Sequence, residues 1–344
     1  MDENIQGKFV SEKISKIRWK PEEFADPHYF LTGSWDNPVN KITYWSFEKG
    51  DDDEAYPLPV TSYDFKGDVT EIKFISKNLF AASSSLGFVK LLQLVENGAV
   101  QFQEHNKWDN LHSFKTLEPA ACTGISNFQH DVVTVGEDGR INYLTASHKK
   151  PIKVIENADS CSIQCVDFPR YNEILTGNLR GHIKVWDFRG DHDIPVTSFM
   201  LSDQAKVEAT SIVHHPTQRH IIVAGGGDGS ITFWDLRQIN YPIPPLNAHE
   251  KAINEILFHP DRPENLFTCS MGGELWHWND AKNSKLKLDT TDSHWISMVG
   301  TGGKDVTPLC GPLHKPINSI DINRSMLLFG CDNEAIYIVK NIPL

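Results

Sequence analysis

The sequence predicts an all-β protein folded as a seven-bladed β-propeller. Three observations support this: a turn followed by an aliphatic and a bulky apolar residue occurs seven times, β-type runs precede each occurrence, and helix-period segments are almost absent. A single blade cannot bury both of its faces, but blades stacked around a ring bury each other. We therefore expect residues 1–344 to form one propeller domain.

The stretch GGGDGSITFWDLR, residues 225–237, shows the repeating unit clearly. A phosphate-binding loop needs a Lys followed by Ser or Thr at the start of a helix, and no Lys follows Gly229. Instead, Asp228-Gly229 separates two runs of β-branched and aromatic residues, and Gly accepts the positive φ of a tight turn. We therefore predict a β-hairpin rather than a nucleotide site.

The same pattern recurs along the whole chain. Its bulky apolar positions, which we call anchors, are about 42 to 52 residues apart, except for one gap of about 61. A period near 40 to 45 with Trp-Asp endings is characteristic of WD-repeat propeller blades. We expect the anchors to be buried between blades, as structural rather than ligand-binding positions. They are Trp45, Leu92, Leu144, Trp186, Trp234, Trp278 and Val339.

Each unit is predicted to hold four antiparallel strands. The innermost strands are ISKIRW, VTEIKF, CTGISNF, SIQCVDF, ATSIVHHP, INEILFHP and INSIDIN. The second strands are YFLTGS, LFAASS, VVTVGE, EILTGN, IIVAGG, LFTCSM and LLFGCD. The third strand carries the anchor, and a looser fourth run such as PIKVIEN or PVTSFML follows it.

The two termini are predicted to complete one blade together. The last unit has three strands and then ends, so it lacks its outer strand. Near the N-terminus, Lys8–Ser11 is a spare strand-like stretch before the first inner strand. Pairing of residues 8–11 with residues 335–340 would close the ring and remove free sheet edges.

Two segments fall outside the pattern. Residues 281–316 account for the wide gap, and we expect an irregular insertion plus the outer strand of blade six. Trp295 and Met298 lie in this insertion and are candidate partner-binding residues, because Trp is enriched at interface hot spots. The alternative is that Trp295 folds back onto its own blade. The acidic stretch at residues 50–54 is expected to be a solvated loop tip.

Composition limits the classes of function. The net charge of −12 argues against a dedicated binder of nucleic acid or anionic membranes, since those use Lys and Arg to neutralise phosphates. No apolar run approaches the roughly 20 residues of a membrane helix. The first residues are polar and acidic, unlike a secretory signal, so the six cysteines are expected to be free thiols.

No catalytic, cofactor-binding or metal-binding residues are predicted. Cys161 and Cys165 lie in one strand-like run, where residues four apart are about 13 Å from each other, too far to hold one Zn²⁺. A hydrolase is disfavoured because there is no G-x-S-x-G elbow. His214 and His259 fall in the turn-like segments HHP and FHP, which favours a structural role over that of a general base.

Several longer blocks resemble a known family. They are FVSEKISKIRW, TGSWDN, VTVGEDGRIN, IKVWDFR, HPDRPENLFTCSMGGELWHW and CDNEAIY. Together they are similar to the WD-repeat nucleoporin of about forty-three kilodaltons, a member of the Y-shaped outer-ring complex of the nuclear pore. The resemblance covers almost the whole chain. Trp-Asp endings are common to many propellers, whereas the block from His259 to Trp278 is much more specific.

This resemblance implies a non-enzymatic scaffold subunit that docks on the helical-solenoid nucleoporin of the short arm of that complex. It implies a place at the nuclear envelope, roles in pore assembly and in protein and mRNA transport, and presence at kinetochores in dividing animal cells. We expect the propeller itself to be monomeric, without cofactors, and without direct binding to nucleic acid or membrane.

WD repeats often contain a buried hydrogen-bond network of His, Ser or Thr, Asp and Trp, and this sequence departs from that pattern. Blade six has His249, Thr268 or Ser270, and Trp278, but Gly272-Gly273 stands where the Asp is expected. No blade clearly holds the full set. We therefore expect the blades to depend mainly on apolar packing.

A second function remains open. The segments at 186–189 and 234–237 match the WDxR pattern of propellers that recruit substrates to cullin ubiquitin ligases. Arg189 and Arg237 could be exposed bidentate donors. The alternative is that each Arg pairs with a nearby carboxylate, because WDxR is frequent in propellers.

Overall fold

The structure, a computed structural model, describes residues 4–22, 26–49, 55–190, 193–202, 206–239, 245–279 and 305–344. Its described residues form twenty-eight strands in seven four-stranded antiparallel sheets. Each innermost strand packs against the innermost strands of its two neighbours, and the first sheet packs against the last. The predicted seven-bladed β-propeller is therefore confirmed.

The strands are numbered in chain order, and each blade contributes one to each position from the channel outwards. The innermost strands are β2 (Lys13–Trp19), β6 (Val69–Phe74), β10 (Cys122–Phe128), β14 (Ile163–Arg170), β18 (Ala209–His214), β22 (Ile253–Phe258) and β26 (Ile317–Asn323). The second strands are β3 (Tyr29–Trp35), β7 (Leu79–Ser84), β11 (Asp131–Gly136), β15 (Glu173–Asn178), β19 (Ile221–Gly226), β23 (Asn265–Ser270) and β27 (Met326–Cys331).

The outer half of each blade completes the sheets. The third strands are β4 (Asn40–Lys49), β8 (Val89–Asn97), β12 (Ile141–Thr145), β16 (His182–Asp187), β20 (Ser230–Asp235), β24 (Leu275–Asn279) and β28 (Ala335–Val339). The fourth strands are β5 (Ala55–Phe65), β9 (Ala99–Trp108), β13 (Lys153–Ile155), β17 (Thr197–Met200), β21 (Leu246–Asn247), β25 (Asp305–Cys310) and, from the N-terminus, β1 (Ile5–Phe9).

Closure of the ring by the N-terminal strand is confirmed. Strand β1 pairs antiparallel with β28, from Ile5 opposite Val339 to Phe9 opposite Ala335. The strand begins three residues before the start of the predicted stretch 8–11, because the polar Gln6-Gly7 hid the pattern there, and it ends two residues before the end of that stretch. Gly7 fits this position because a side chain there would clash with the ring of Tyr337, 2.9 Å from a Cβ.

The hairpin predicted at Asp228-Gly229 is also confirmed. Strands β19 and β20 pair across it, with Gly225 opposite Ile231. Gly229 has a φ of 84°, and a Cβ there would lie 2.2 Å from the carbonyl oxygen of His249. The turn therefore needs glycine both for its backbone conformation and for close packing against the next interblade loop.

The core consists of apolar clusters between neighbouring blades. Trp234, for example, packs with Leu175 and Ile183 of the preceding blade, and Trp186 packs with Val133 and Ile141. All seven anchors are buried, with exposed fractions between 0% and 6%. Each lies in a cluster that is shared with the preceding blade. The anchors therefore occupy interblade core.

The expectation that no blade holds the buried hydrogen-bond network is wrong for blade six. The Nδ1 of His249 is 2.9 Å from the Oε2 of Glu274, and its Nε2 is 2.8 Å from the Oγ1 of Thr268. Trp278 donates from Nε1 to the same hydroxyl oxygen at 3.0 Å. Glu274 follows the glycine pair by one residue, and its longer side chain reaches where Asp was expected.

Blade three holds a variant of the same network. The Nδ1 of His112 is 2.9 Å from the Oδ1 of Asp138, and its Nε2 is 2.9 Å from the Oγ1 of Thr134. Leu144 stands at the tryptophan position and cannot donate a hydrogen bond, while the Nδ2 of Asn142, two residues earlier, lies 3.2 Å from the same ring nitrogen. His112, Thr134 and Asn142 are buried, so loss of any of these hydrogen bonds would leave a buried polar group unpaired.

We predict that deletion of residues 1–11 lowers the melting temperature by about 5 °C or more, because β28 loses its antiparallel partner and the ring opens. Thermal unfolding followed by circular dichroism measures the change. Deletion of residues 1–3 is the control, since it leaves β1 intact and should change nothing. Equal melting temperatures for the two deletions would contradict closure by this strand.

We also predict that Trp186→Phe destabilises the fold by about 1–2 kcal/mol more than Trp234→Phe. Trp186 donates from Nε1 to Thr176 Oγ1 at 2.9 Å, so the phenylalanine leaves a buried hydroxyl unpaired. Trp234 has no such partner within the described residues, since Ala224 stands where blade four has Thr176.

Urea denaturation measures both changes in the free energy of unfolding. Thr176→Ala is the control, and in its background Trp186→Phe should cost no more than Trp234→Phe. Equal losses for the two phenylalanine variants in the wild-type background would show that the hydrogen bond contributes nothing.

Candidate interaction surfaces

The central channel holds a compact cluster of charged side chains. The cavity there is about 170 Å³ and is lined by residues of the innermost strands. Arg18, which is 7% exposed, donates from Nη2 to Glu71 at 2.6 Å and to Glu255 at 2.5 Å. It also donates from Nη1 to the hydroxyl oxygen of Ser319 at 2.8 Å. One side chain of blade one thus contacts blades two, six and seven.

The two carboxylates in this cluster are held in their charged form. Burial alone would raise the pKa of Glu71 and of Glu255, but the neighbouring Arg18 and Lys16 outweigh it and lower both. For carboxyl groups with lowered pKa, the stabilisation is present above their ordinary pKa and is lost as the pH falls through the lowered value. Arg18 and Lys16 therefore balance Glu71 and Glu255, and these four side chains form a structural element.

The histidines considered as general bases have structural contacts. His259 accepts the backbone N–H groups of Asp261 and Arg262 at Nδ1, and its Nε2 lies 2.9 Å from the carbonyl oxygen of Arg324. His214 lies 2.6 Å from Asp167, which also accepts the backbone N–H of His214 at 2.7 Å. Burial would lower the pKa of His214, but Asp167 raises it. These contacts shape turns and join neighbouring blades.

The WDxR arginines are paired within their own motifs. Arg189 donates from Nε to Asp187 at 2.9 Å, and Arg237 makes the same contact with Asp235 at 2.9 Å. Their side chains remain 71% and 48% exposed. The geometry matches the alternative in which each Arg pairs with a nearby carboxylate.

The two candidate partner-binding residues, Trp295 and Met298, lie outside the described residues. The described part of 281–316 begins with β25, where Val306 lies opposite Trp278. The expectation that Cys161 lies in a strand is wrong, because it precedes β14 in an interblade loop. Among the residues that the structure describes, no cluster of His, Cys, Asp and Glu could hold a metal ion. The same residues include no helix that could cross a membrane.

One rim of the propeller carries more acidic than basic residues. We call it the acidic rim: it comprises the turns between second and third strands and the loops that join successive blades. Its described residues include fifteen Asp and Glu but only seven Lys and Arg. The opposite rim comprises the turns between first and second strands and between third and fourth strands.

A small hairpin at residues 113–119 stands out on the acidic rim. Phe114 donates its backbone N–H to Glu118 at 2.9 Å, and Leu117 donates to Phe114 at 2.9 Å. Phe114 is 39% exposed, and Leu117 is 87% exposed with a φ of 68°. Sequence reasoning missed this hairpin. The available signal was the long link at residues 109–121, with large apolar residues among polar ones.

Known proteins are similar to this chain along its whole length. Residues 149–187 and 196–235 match the family model described as WD domain, G-beta repeat. The human protein Nucleoporin Nup43 is 34% identical over 99% of this chain and 99% of its own length. The Arabidopsis thaliana Nuclear pore complex protein NUP43 is 24% identical over 91% of this chain and 90% of its own.

A further relative matches a part of the chain. The Dictyostelium discoideum Nuclear pore complex protein nup43 is 32% identical over 46% of this chain and 38% of its own length. The names of these relatives from an animal, a plant and an amoeba all contain Nup43. The family expected from the quoted sequence blocks is confirmed.

We predict that Arg18→Met destabilises the propeller by about 3–5 kcal/mol, because Glu71 and Glu255 lose a buried partner. Urea denaturation at neutral pH measures the loss. The double variant Arg18→Met with Glu255→Gln removes one of the two carboxylates that Arg18→Met leaves without a partner. It should therefore be more stable than Arg18→Met alone. Wild-type stability in Arg18→Met would contradict the assigned role.

Proposed function

The chain belongs to the Nup43 family of WD-repeat nucleoporins, and from this premise we propose that it is a non-enzymatic scaffold subunit of the nuclear pore. It binds other nucleoporins through its propeller surface and is located at the nuclear pore complex. The observation that carries the proposal is the 34% identity to human Nucleoporin Nup43 over 99% of both chains.

The finer parts of the proposal rest on the resemblance described above. The complex is the Y-shaped outer ring, and the direct partner is the helical-solenoid nucleoporin of its short arm. In this role the subunit supports pore assembly and transport of protein and mRNA through the pore, and in dividing animal cells it is present at kinetochores. Trp295 and Met298 remain proposed partner contacts.

The chemistry of the propeller supports a binding role. Arg18 and Lys16 in the channel pair with Glu71 and Glu255, and the His–carboxylate pairs at His112 and His249 belong to the hydrogen-bond networks of their blades. What distinguishes the molecule is its outer surface, with an acidic rim and exposed apolar side chains on the loops. Loops on a rigid scaffold are common positions for binding residues.

A second candidate function is substrate recruitment to a cullin ubiquitin ligase, which is favoured by the two WDxR motifs and the exposure of Arg189. Its weakness is that both arginines already pair with the Asp of their own motif. An adaptor protein would have to compete with these local pairs, although such exposed pairs contribute little stability.

Co-purification separates the two functions. We predict that the tagged full-length chain, isolated from nuclear-envelope extract and analysed by mass spectrometry, retains nucleoporins of the outer ring rather than a cullin adaptor. The Arg189→Ala/Arg237→Ala variant should retain the same nucleoporins, because these side chains are bound to their own Asp residues. Recovery of a cullin adaptor that depends on the two arginines, without nucleoporins, would establish the second function instead.

A further inference from the structure

We propose that the hairpin at residues 113–119 and the cleft beside it form a docking surface for a Lys- and Arg-rich segment of a partner protein that also carries apolar residues. This inference rests on the proposed function, since it assigns one part of the propeller surface to the binding of another protein. It concerns the acidic rim over blades two, three and four.

The hairpin is a rigid support for exposed apolar side chains. Its base is held by Asp138, which binds the His112 ring at 2.9 Å and accepts the backbone N–H of Ser113 at 3.0 Å. Leu111 and His112 themselves are buried. Its tip is closed by the two backbone hydrogen bonds between Phe114, Leu117 and Glu118. The hairpin therefore needs little ordering on binding, which lowers the entropic cost of association.

The apolar residues at this tip do not contribute to the core. Leu117 is 87% exposed, the largest value among the exposed apolar side chains of the described residues, and its left-handed backbone would suit Asn or Gly better. Phe114 is 39% exposed and forms one wall of the cleft. Leu86 and Leu179, on turns of the two flanking blades, are 37% and 47% exposed. Exposed apolar side chains on loops that a rigid scaffold positions are candidates for partner contacts.

The cleft has a size suited to side chains of a partner. Its volume is about 880 Å³, and it lies between the hairpin and the loop at residues 156–161. The turn at Glu137–Arg140 forms its floor, and Asp159 donates its backbone N–H to Gly139 at 2.9 Å. Pockets of about 300–1,000 Å³ accommodate small ligands or several side chains of a peptide.

The charge around the cleft determines which kind of partner segment can bind there. Arg140 pairs with Glu156 at 2.8 Å, and Lys184 pairs with Asp159 at 2.8 Å. Glu118, Glu137 and Lys115 are exposed and make no ion pair with any described residue, so two unpaired carboxylates stand beside one unpaired cation. Since the whole rim has about twice as many carboxylates as cations, its field attracts cationic groups and repels phosphates. A basic protein segment therefore fits, whereas nucleic acid and anionic membranes do not.

The test uses the full-length chain and two synthetic amphipathic peptides, one built of Lys and Leu and the other with Glu in place of every Lys. Fluorescence anisotropy is expected to show that the Lys peptide binds more tightly than the Glu peptide and loses affinity as salt is added. Leu117→Asn should weaken its binding about tenfold, as loss of an interface hot spot does. Asn is suited to the backbone of this position, so the fold should be retained.

The variant Glu118→Gln/Glu137→Gln tests the charge, and it should weaken the binding of the Lys peptide and reduce its salt dependence. Ile194→Asn is the matched control, because Ile194 is 70% exposed on the opposite rim, and it should bind as the wild type does. Equal affinity of the two peptides, or equal weakening by Leu117→Asn and Ile194→Asn, would overturn the proposal. So would binding of duplex DNA or anionic vesicles that depends on Leu117.

A second readout separates this inference from the proposed function. In the co-purification from nuclear-envelope extract, Leu117→Asn should lose a nucleoporin that Ile194→Asn retains. If the wild type and both variants retain the same nucleoporins, the scaffold function stands and this docking surface is wrong. If the wild type retains no nucleoporin, the scaffold function itself is wrong.

Discussion

The contacts of Arg18 are the interaction on which the closed ring depends most. A propeller must hold its first and last blades together, and Arg18 of blade one contacts Glu71 of blade two, Glu255 of blade six and Ser319 of blade seven. A buried ion pair adds little net stability, because loss of hydration offsets the attraction. An arrangement that separates these blades, however, would leave buried charges unpaired. The cluster therefore fixes closure at the channel, as the pairing of β1 with β28 does at the circumference.

Hydrogen bonds to backbone N–H groups also join neighbouring innermost strands. Ser211 accepts the N–H of Ile256, Glu255 that of Ile320, and Ser319 that of Ile17, at distances of 2.9 to 3.2 Å. Each bond joins a side chain of one blade to the main chain of the next. Together with the apolar clusters between blades, they hold the ring without help from the rim loops. The loops are then free to carry charge and exposed apolar residues.

The periodic parts of this structure were predictable from the sequence, and the long-range contacts were not. Alternating apolar residues, glycine turns and the anchors indicate strands, blade number and closure, because each follows from local conformation and burial. Arg18 and Glu255 are 237 residues apart, and only the curvature of the ring brings them together. The role of Glu274 in the network of blade six was missed because it stands one residue after the expected position of the Asp. Only its longer side chain brings a carboxylate to the ring of His249. The apolar tip at Leu117 was missed because a single exposed leucine has no periodic pattern.

Blade three links the structural networks to the proposed docking surface. Asp138 binds the buried ring of His112, which is an interaction that stabilises the blade, and with its second oxygen it accepts the backbone N–H of Ser113, where the hairpin begins. The carboxylate therefore positions the hairpin tip relative to the rigid sheet. Burial would raise the pKa of Asp138, but its bonds to His112 lower it, so the carboxylate stays charged as an acceptor. A network that is commonly structural in this fold thus also determines where Phe114 and Leu117 lie on the acidic rim.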